Sequence, residues 1–326
     1  MDMAYLIATV VKIVIILLVF SALAGFGTYF ERKILAFMQR RLGPMYVGPY
    51  GLLQIAADGI KLFTKEDIIP ANVVKPIFKI APVITAATAF IAAAAIPFMP
   101  SFNLFGYEVK PIVADINIGL LYIFGVMGVG LYGPLLGGMA SANKWSIISA
   151  ARSAAVFISY EVVTGLSILA PVMMVGSLSL IDFNNWQIEN GWIAFYQPVA
   201  FILFWIAAFA ETGRTPFHLV ANDHEIIDGF GTEYSGMRWG LFFIGEYANM
   251  FFISFVIPLV FLGGFGEGTF VDGLIFFGKM AFFFFFFLWT RAAWPDVRPD
   301  QLMWLCWKVL MPLAVVNVVI TGIVMM

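Results

Sequence analysis

Residues 199–233 read VAFILFWIAAFAETGRTPFHLVANDHEIIDGFGTE and change abruptly from apolar to polar sequence. The apolar part, 199–210, contains no charged residue, whereas the part that follows holds five of the chain's twenty acidic residues and both of its histidines. An apolar stretch of this kind is typical of a helix in a membrane. The cluster of carboxylates and imidazoles directly after it predicts a polar site at the end of that helix.

The composition of the whole chain indicates a membrane protein. A soluble domain has about 25% charged residues, whereas this chain of 326 residues has 12%, is 62% hydrophobic and includes 35 Phe. Its mean hydropathy is +0.94. Because a globular core cannot bury this much apolar surface, we expect lipid to cover it. The net charge of −2 says little about partners, and no basic run suggests a nucleic-acid partner.

The single cysteine, Cys306, excludes an internal disulfide and any metal or iron–sulfur site built from several cysteines. If the protein takes part in redox chemistry, a partner must hold the metals.

The apolar runs predict an all-α polytopic membrane protein that forms a single domain over residues 1–326. About 20 apolar residues cross the hydrocarbon of a bilayer, and backbone groups in lipid must be satisfied within a helix. About eight tilted transmembrane helices are predicted, over 4–30, 78–99, 112–139, 152–176, 196–210, 239–263, 271–290 and 302–325. The fifth is short by itself.

The N-terminus has a second interpretation. Lys12, the run IVIILLVF and the small residues 22–24 resemble a secretory signal with a cleavage site. The apolar stretch continues to Tyr29 and meets the charged residues 31–33, which favours a spanning helix.

Basic residues predict the orientation of these helices, because cytoplasmic loops are rich in Lys and Arg. The segment 31–79 contains eight of them, and the loops near 140–152, 211–238 and 291–301 add six. The opposite side has little beyond Lys12 and Lys110. We therefore expect a multi-pass protein of the cell inner membrane with both termini on the periplasmic side.

The segment LLQIAADGIKLFTK, residues 52–65, is too short to span a membrane and predicts a cytoplasmic amphipathic helix. Gln54, Asp58, Lys61 and Lys65 recur along one stripe, opposite an apolar face. One interpretation is a helix that lies on the lipid surface; the other is a helix that roofs an internal cavity with its charged stripe facing inward.

Several charged residues fall inside apolar segments, where a charge costs at least a few kcal/mol. They are Glu161, Glu246 and Lys279, with Glu211, Glu31 and Arg32 at helix ends. Burial raises the pKa of a carboxyl group towards neutrality, as a proton relay requires. The alternative is that these residues pair across helices and only fix the packing.

The motif HEIID, residues 224–228, nearly matches the HExxH zinc-protease helix, in which two imidazoles bind the metal and Glu acts as a base. Asp228 stands where the second histidine belongs. Since zinc accepts Asp as a ligand, this alternative stays open on the residues alone.

Six motifs resemble one family in order. They are FERKILAFMQRRLGP, GPYGLLQIAADGIKLFTKED, ISYE, AETGRTPF, TEYSGMRWGLFFIGEYANM and VRPDQLMWLCWKVLMPLA. The chain is thus similar, over nearly its whole length, to the H subunit (numbered 1 in mitochondria) of respiratory complex I, the proton-pumping NADH:quinone oxidoreductase. That resemblance implies eight tilted helices, a share of the quinone chamber and the first carboxylates of a proton path.

The resemblance also implies the site residues. The quinone chamber would include Glu31, Arg32, Asp58, Lys61, Glu211, Arg214, Asp223, Glu225, Glu233, Arg291 and Arg298. The proton path would include Glu161, Glu246 and Glu211. Quinone would be the substrate, with no cofactor or metal on this chain and with flavin and iron–sulfur clusters on partner subunits. The expected partners are the quinone-site and terminal-cluster peripheral subunits, the small and antiporter-like membrane subunits, and lipid.

The chain departs from the family pattern on the quinone side. Gly213, His218, Ala221 and Pro299 stand where the family usually has Asn, Asp, an acid and Tyr, respectively. Because histidine titrates near neutral pH, His218 and His224 are candidates to exchange protons in place of a lost acid. The alternative is that both are solvated loop histidines.

Two other functions remain compatible with the residues. One is the related membrane subunit of a proton-pumping hydrogenase or of another quinone oxidoreductase that is not fed by NADH. The other is a stand-alone ion-coupled transporter, which would carry inverted repeats with broken helices; the sequence shows no such symmetry.

Overall fold

A computed structural model describes residues 3–97, 102–104, 107–109, 112–218 and 228–325. Its helices are α1 Met3–Met38, α2 Gln54–Thr64, α3 Lys75–Ala92, α4 Gly119–Gly130, α5 Tyr132–Ala140, α6 Lys144–Val175, α7 Leu180–Asn190, α8 Ile193–Tyr196, α9 Pro198–Glu211, α10 Gly236–Phe261, α11 Phe270–Ala293, α12 Pro299–Leu305 and α13 Met311–Met325. A π-helical turn, Cys306–Leu310, joins α12 to α13. The predicted all-α class is confirmed.

Seven helical segments of the described chain are long and apolar enough to cross a membrane. They are Val10–Met38, Lys75–Ala95, Gly119–Ala140, Lys144–Val175, Gly236–Phe261, Phe270–Ala293 and Pro299–Met325. The remaining predicted segment, 196–210, is the 14-residue helix α9. At 1.5 Å per residue α9 is about 21 Å long, shorter than the roughly 30 Å hydrocarbon layer.

The described residues also include a short β-hairpin. Strands β1 Phe102–Leu104 and β2 Tyr107–Val109 pair antiparallel, with Phe102 opposite Val109. This hairpin lies in the connection between α3 and α4.

The long helix α6 begins and ends at residues suited to those positions. The Asn143 side chain accepts a hydrogen bond from the backbone N–H of Trp145 at 3.1 Å, which satisfies one free N–H of the first turn. Gly176 ends the helix in a left-handed conformation with φ 73°. The buried hydroxyls of α6 bond within the helix, as Thr164 does to the Tyr160 carbonyl at 2.9 Å. Helix α6 packs on α9, and both bury small side chains, which allow a close approach.

Helix α10 is the central element of the fold. It packs against α1, α2, α3 and α11, and almost every residue from 247 to 261 is buried. Stacked rings hold these contacts, with Phe20 of α1 on Phe252 at 4.7 Å and Phe251 on Phe284 of α11 at 4.1 Å. Glu246 therefore lies on the most enclosed helix of the chain.

Candidate functional site

A cavity of about 570 Å³ lies between α1, α2, α10 and α11. Its charged and polar lining includes Glu31, Arg32, Asp58, Lys61, Tyr247 and Arg291, and its apolar lining includes Ile55, Leu62, Phe63, Trp239, Phe243 and Ile244. We call it the chamber. Its volume is within the range of about 300–1,000 Å³ that is typical of small-molecule sites. The mixture of charge and apolar surface suits a ligand with a polar head and an apolar tail.

The amphipathic helix α2 forms one wall of the chamber. Asp58 and Lys61 of its polar stripe line the cavity, while Ile60 is 65% exposed on the other side. Asp58 forms a salt bridge with Arg32 of α1 at 2.8 Å and accepts a hydrogen bond from Gln54 at 3.0 Å. Helix α2 therefore roofs the cavity with its charged stripe facing inward, as one of the two sequence interpretations predicts.

Glu31 is the centre of the charged cluster in the chamber. It is only 4% exposed, although it is a carboxylate at the end of an apolar helix. Arg214 Nη1 donates to its Oε2 at 3.0 Å, the Tyr247 hydroxyl donates to the same oxygen at 2.6 Å, and Arg291 Nη1 donates to Oε1. Two guanidinium groups thus face one carboxylate, which leaves one positive charge in excess.

Arg214 is a buried cation with unused donors. Its Nε and Nη2 atoms are buried and have no hydrogen-bond partner among the described residues. Burial by itself would lower the pKa of this guanidinium, but Glu31, Tyr247 and Glu246 together outweigh burial and hold the pKa above its usual value. The guanidinium also lies over the Tyr247 ring, 4.6 Å from its centroid. Arg214 therefore stays charged and can bind a further acceptor.

A second, smaller cavity of about 40 Å³ lies between α3, α9, α10 and the loop after α9. Its polar lining residues are Thr85, Glu211, Thr212, His218, Glu246 and Asn249. Glu211 Oε2 and Asn249 Oδ1 are buried without a hydrogen-bond partner in the described part of the chain. Since one water needs about 10–15 Å³ of such volume, the space of about 40 Å³ fits about three or four waters that can donate to these acceptors. We call it the carboxylate pocket.

Arg214 lies between the chamber and the carboxylate pocket. It acts electrostatically on Glu31 and Tyr247 on the chamber side and on Glu246 on the pocket side. Arg291 of the chamber also acts on Glu246. A change of charge in the chamber is therefore felt by a carboxyl group in the pocket, since Coulomb energies are large in a medium of low dielectric constant.

Glu161 differs from the other two candidate path carboxylates because its side chain is exposed on the outside of the chain. It acts electrostatically on Glu211. The Glu161 carboxyl also lies against Gly128 of α4, where any Cβ atom would collide with it. The three carboxylates thus form a row from the enclosed helix α10 to the outer face of α6.

Other candidate residues lie apart from both cavities or outside the described residues. Glu233 accepts a hydrogen bond from Asn143 at 2.8 Å, and Arg298 is exposed, with Nε 3.7 Å from Asp300. Asp223, His224 and Glu225 lie outside the described residues, as do Ala221 and most of the HEIID motif. Their proposed roles stay predictions.

The contacts of Lys279 explain why a charged residue lies inside the apolar helix α11. Its Nζ donates to the Leu262 carbonyl just after the end of α10 at 2.5 Å and lies 4.7 Å from the Trp192 ring centroid. A cation at this position satisfies a free carbonyl and matches the helix dipole.

Tyr247 and Asn249 are site residues that the sequence motifs do not single out. Both are on α10, one and three positions after Glu246, and polar side chains beside an acid in an apolar helix were the available signal. Arg214 and Glu31 were identified, but not as a pair.

Comparison with known proteins places this arrangement in a family. The family model described as NADH dehydrogenase matches residues 11–322. The H subunit of the NADH-quinone oxidoreductase of Sulfurimonas denitrificans is 80% identical over 328 residues, covering 100% of both chains. The H subunits of the same enzyme from a Nitratiruptor species and from Wolinella succinogenes are 69% and 62% identical, covering 100% and 98% of this chain and 99% and 98% of their own. The chain therefore belongs to the NADH dehydrogenase family of membrane subunits.

Proposed function

We propose that this chain is the membrane subunit of NADH:quinone oxidoreductase that forms the quinone chamber and the start of the proton path. The observation that carries the proposal is the position of Arg214, which bonds to Glu31 in the chamber and acts on Glu246 in the carboxylate pocket. One buried cation thus links the two halves of the proposed function. The names of the relatives favour this function over that of a hydrogenase component or a transporter.

Quinone is the proposed substrate, and the lining of the chamber supports it. A quinone has carbonyl oxygens that accept hydrogen bonds and a long apolar tail. Arg291 and Lys61 offer donors, whereas Ile55, Phe63 and Phe243 offer an apolar surface. Asp58, Arg32 and Glu31 would set the local charge. Arg214, Asp223 and Glu225 are proposed to complete the chamber together with a docked peripheral arm. Of the other residues expected there, Glu211 lines the carboxylate pocket, and Glu233 and Arg298 lie apart from both cavities.

The electrons are proposed to come from a partner, because a single cysteine cannot hold an iron–sulfur cluster. Flavin and the clusters would belong to peripheral subunits. Reduction to quinol consumes two electrons and two protons. Before those protons arrive, the added negative charge attracts Arg214 and Arg291 and competes with Glu31 for their donors.

The proton affinity of the carboxylates follows from that competition. The charges of Arg214 and Arg291 attract the Glu246 carboxylate, so a shift of these charges towards the chamber favours the protonated form of Glu246. Each unit of pKa change corresponds to about 1.4 kcal/mol. Glu211 and Glu161 would receive the change in turn, since Glu161 acts on Glu211.

Membrane partners are proposed on the face that carries Glu161. An exposed carboxyl group at membrane depth is costly against lipid, so a neighbouring membrane protein of the complex is expected to cover it and to continue the path. This supports small and antiporter-like membrane subunits as partners. The distribution of basic residues in the loops supports a position in the inner membrane with both termini on the periplasmic side.

Peripheral partners are proposed on the cytoplasmic side. Tyr46 is fully exposed and Leu42 is 82% exposed beside Arg40 and Arg41. Exposed aromatic and Arg residues are typical of protein interfaces.

A photoreactive quinone analogue tests the chamber directly. In the purified complex it is expected to label α1, α2 or α10, and an excess of quinone is expected to protect these segments. Labelling confined to other subunits, with none on these helices, would contradict the assignment.

A further inference from the structure

Three aromatic rings of α10 form one wall of the chamber. Trp239, Phe243 and Tyr247 are spaced four residues apart, which places them on one face of the helix, and all three line the cavity. The ring centroids of Trp239 and Phe243 lie 4.0 Å apart, and those of Phe243 and Tyr247 lie 6.3 Å apart. We call these rings the aromatic row. It runs from the first turn of α10 to the Tyr247 hydroxyl that bonds to Glu31.

The indole of Trp239 is held by an acid that lies outside the chamber. Its Nε1–H donates to Asp228 Oδ2 at 3.0 Å, and Asp228 is not among the described residues that line the cavity. Because an indole has a single donor, this bond is the hydrogen bond that fixes the orientation of the ring. The wall of the chamber therefore depends on a residue that does not face the chamber.

Asp228 is itself fixed by the turn that follows it, Gly229–Gly231. The backbone of this turn bonds to two buried serines of α6. The Ser146 hydroxyl donates to a carbonyl of the turn at 3.0 Å, and the Ser149 hydroxyl accepts from an N–H of the turn at 3.1 Å. The acid that orients Trp239 is thus anchored on the long helix α6.

Gly231 leaves room for the bond between Asp228 and Trp239. A Cβ atom at this position would lie 2.6 Å from Asp228 Oδ2, which is closer than van der Waals contact allows. Since Oδ2 is the end of a side chain that can rotate, the carboxylate would turn away and release the indole. The sequence of this turn therefore provides both the acceptor and the space for it.

We propose that Asp228 is a positioning residue for quinone, because it holds the Trp239 indole in the aromatic row, where the indole contacts the quinone ring. A quinone ring is flat and packs well against an aromatic face. Without the acceptor, the indole rotates into space that the substrate needs. The role requires the hydrogen bond and not the negative charge of Asp228. This inference rests on the proposed function and adds a residue outside the chamber that determines how tightly quinone binds.

Three substitutions in the assembled complex isolate this bond. Asp228→Ala removes the acceptor and the charge, and Asp228→Asn removes the charge but keeps an oxygen that accepts. Trp239→Phe removes the N–H and keeps an aromatic ring. Both changes at Asp228 also remove its electrostatic effect on Glu246, so a difference between them reports the hydrogen bond.

Asp67→Ala is the matched control. It breaks the salt bridge of Asp67 with Arg238 at 2.9 Å, which is a contact of an acid with the residue next to Trp239. Neither partner is among the described residues that line the chamber. KM and kcat are measured with a short-chain benzoquinone, and co-purification of all subunits and NADH oxidation by an artificial acceptor check assembly.

Asp228→Ala is expected to raise the KM for quinone about fivefold relative to Asp228→Asn with little difference in kcat, as loss of a contact made equally in the ground and transition states does. Asp228→Asn is expected to keep KM within about twofold of wild type, since its amide oxygen accepts the indole N–H. With Trp239→Phe already in place, Asp228→Ala is expected to change KM by less than about twofold, because the bond is already absent. Asp67→Ala is expected to leave KM unchanged.

Equal KM values in Asp228→Ala and Asp228→Asn would overturn the proposal. So would a full effect of Asp228→Ala in the Trp239→Phe background, or a rise of equal size in Asp67→Ala, which would indicate a general loss of order at the start of α10. If Asp228→Ala does not assemble, Gly231→Ala takes its place in the same comparisons, with the same expected rise.

The photoreactive quinone analogue distinguishes this inference from the broader function. Wild-type complex without labelling on α1, α2 or α10 would contradict the proposed function itself. Normal, quinone-protected labelling of these helices together with an unchanged KM in Asp228→Ala would contradict only the role of Asp228.

Discussion

Arg214 and Glu31 form a buried ion pair at 3.0 Å between residues 183 positions apart in the chain. Each is 4% exposed. The pair joins the loop after α9 to the C-terminal part of α1, between the chamber and the carboxylate pocket.

Replacing Glu31 by Gln is expected to destabilise the assembled complex strongly. It leaves Arg214 as a buried charge without its counter-ion, and removal of one partner of a buried pair typically costs about 3–5 kcal/mol. Thermal unfolding of the purified complex measures the effect. Asp58→Asn is the matched control, because the Arg32–Asp58 pair is partly exposed and such pairs are worth about 0–1 kcal/mol. Equal losses in the two variants would show that burial of the pair is unimportant.

Arg214→Lys is expected to lower quinone reduction by tenfold or more, although it preserves the charge. A lysine lacks the planar fork that bonds to Glu31 while it stacks on Tyr247. Steady-state quinone reduction in the complex measures this change, with NADH oxidation by an artificial acceptor as the control for assembly. A rate within twofold of wild type would mean that charge alone suffices at this position.

Gly128→Ala is expected to impair proton pumping, because its Cβ would collide with the Glu161 carboxyl. Gly125, one turn earlier on α4, has open space around the equivalent position. Gly125→Ala is therefore expected to leave pumping intact and serves as the control. Proton uptake per electron in proteoliposomes compares the two. Identical ratios would indicate that the position of Glu161 does not matter.

Lys279→Met is expected to lower stability by about 1–3 kcal/mol without a change in the ratio of protons to electrons. The substitution removes the bond to the Leu262 carbonyl and leaves that partly buried acceptor without this donor. Thermal unfolding and pumping are measured on the same preparation. A normal melting temperature with a lowered pumping ratio would instead assign Lys279 to the proton path.

The membrane helices were predictable because long apolar runs have few alternatives in lipid. The polar stripe of α2 predicted an amphipathic helix but left open whether that helix lies on the lipid surface or roofs a cavity. The Arg214–Glu31 pair was not predictable, since sequence spacing does not indicate which helix ends meet in space. The exposure of Glu161 was not predictable either. Helix α6 is largely apolar on all sides, because apolar residues can contact either lipid or other helices. The pattern therefore does not reveal which face of α6 is covered by protein. The α9 segment was identified as apolar. Its contact with α6 was not predictable, because the sequence does not show which small residues of the two helices meet.

The central claim is that a carboxyl group in the pocket couples quinone reduction to proton transfer, and Glu246→Gln tests it most directly. The substitution keeps the shape of the side chain but removes the exchangeable proton. The measurement is protons pumped per electron by the complex in proteoliposomes, with Glu189→Gln, at an exposed position on α7, as the control. We predict that pumping falls at least tenfold in Glu246→Gln and stays at the wild-type ratio in the control. A wild-type ratio in Glu246→Gln, at an undiminished rate of quinone reduction, would contradict the account.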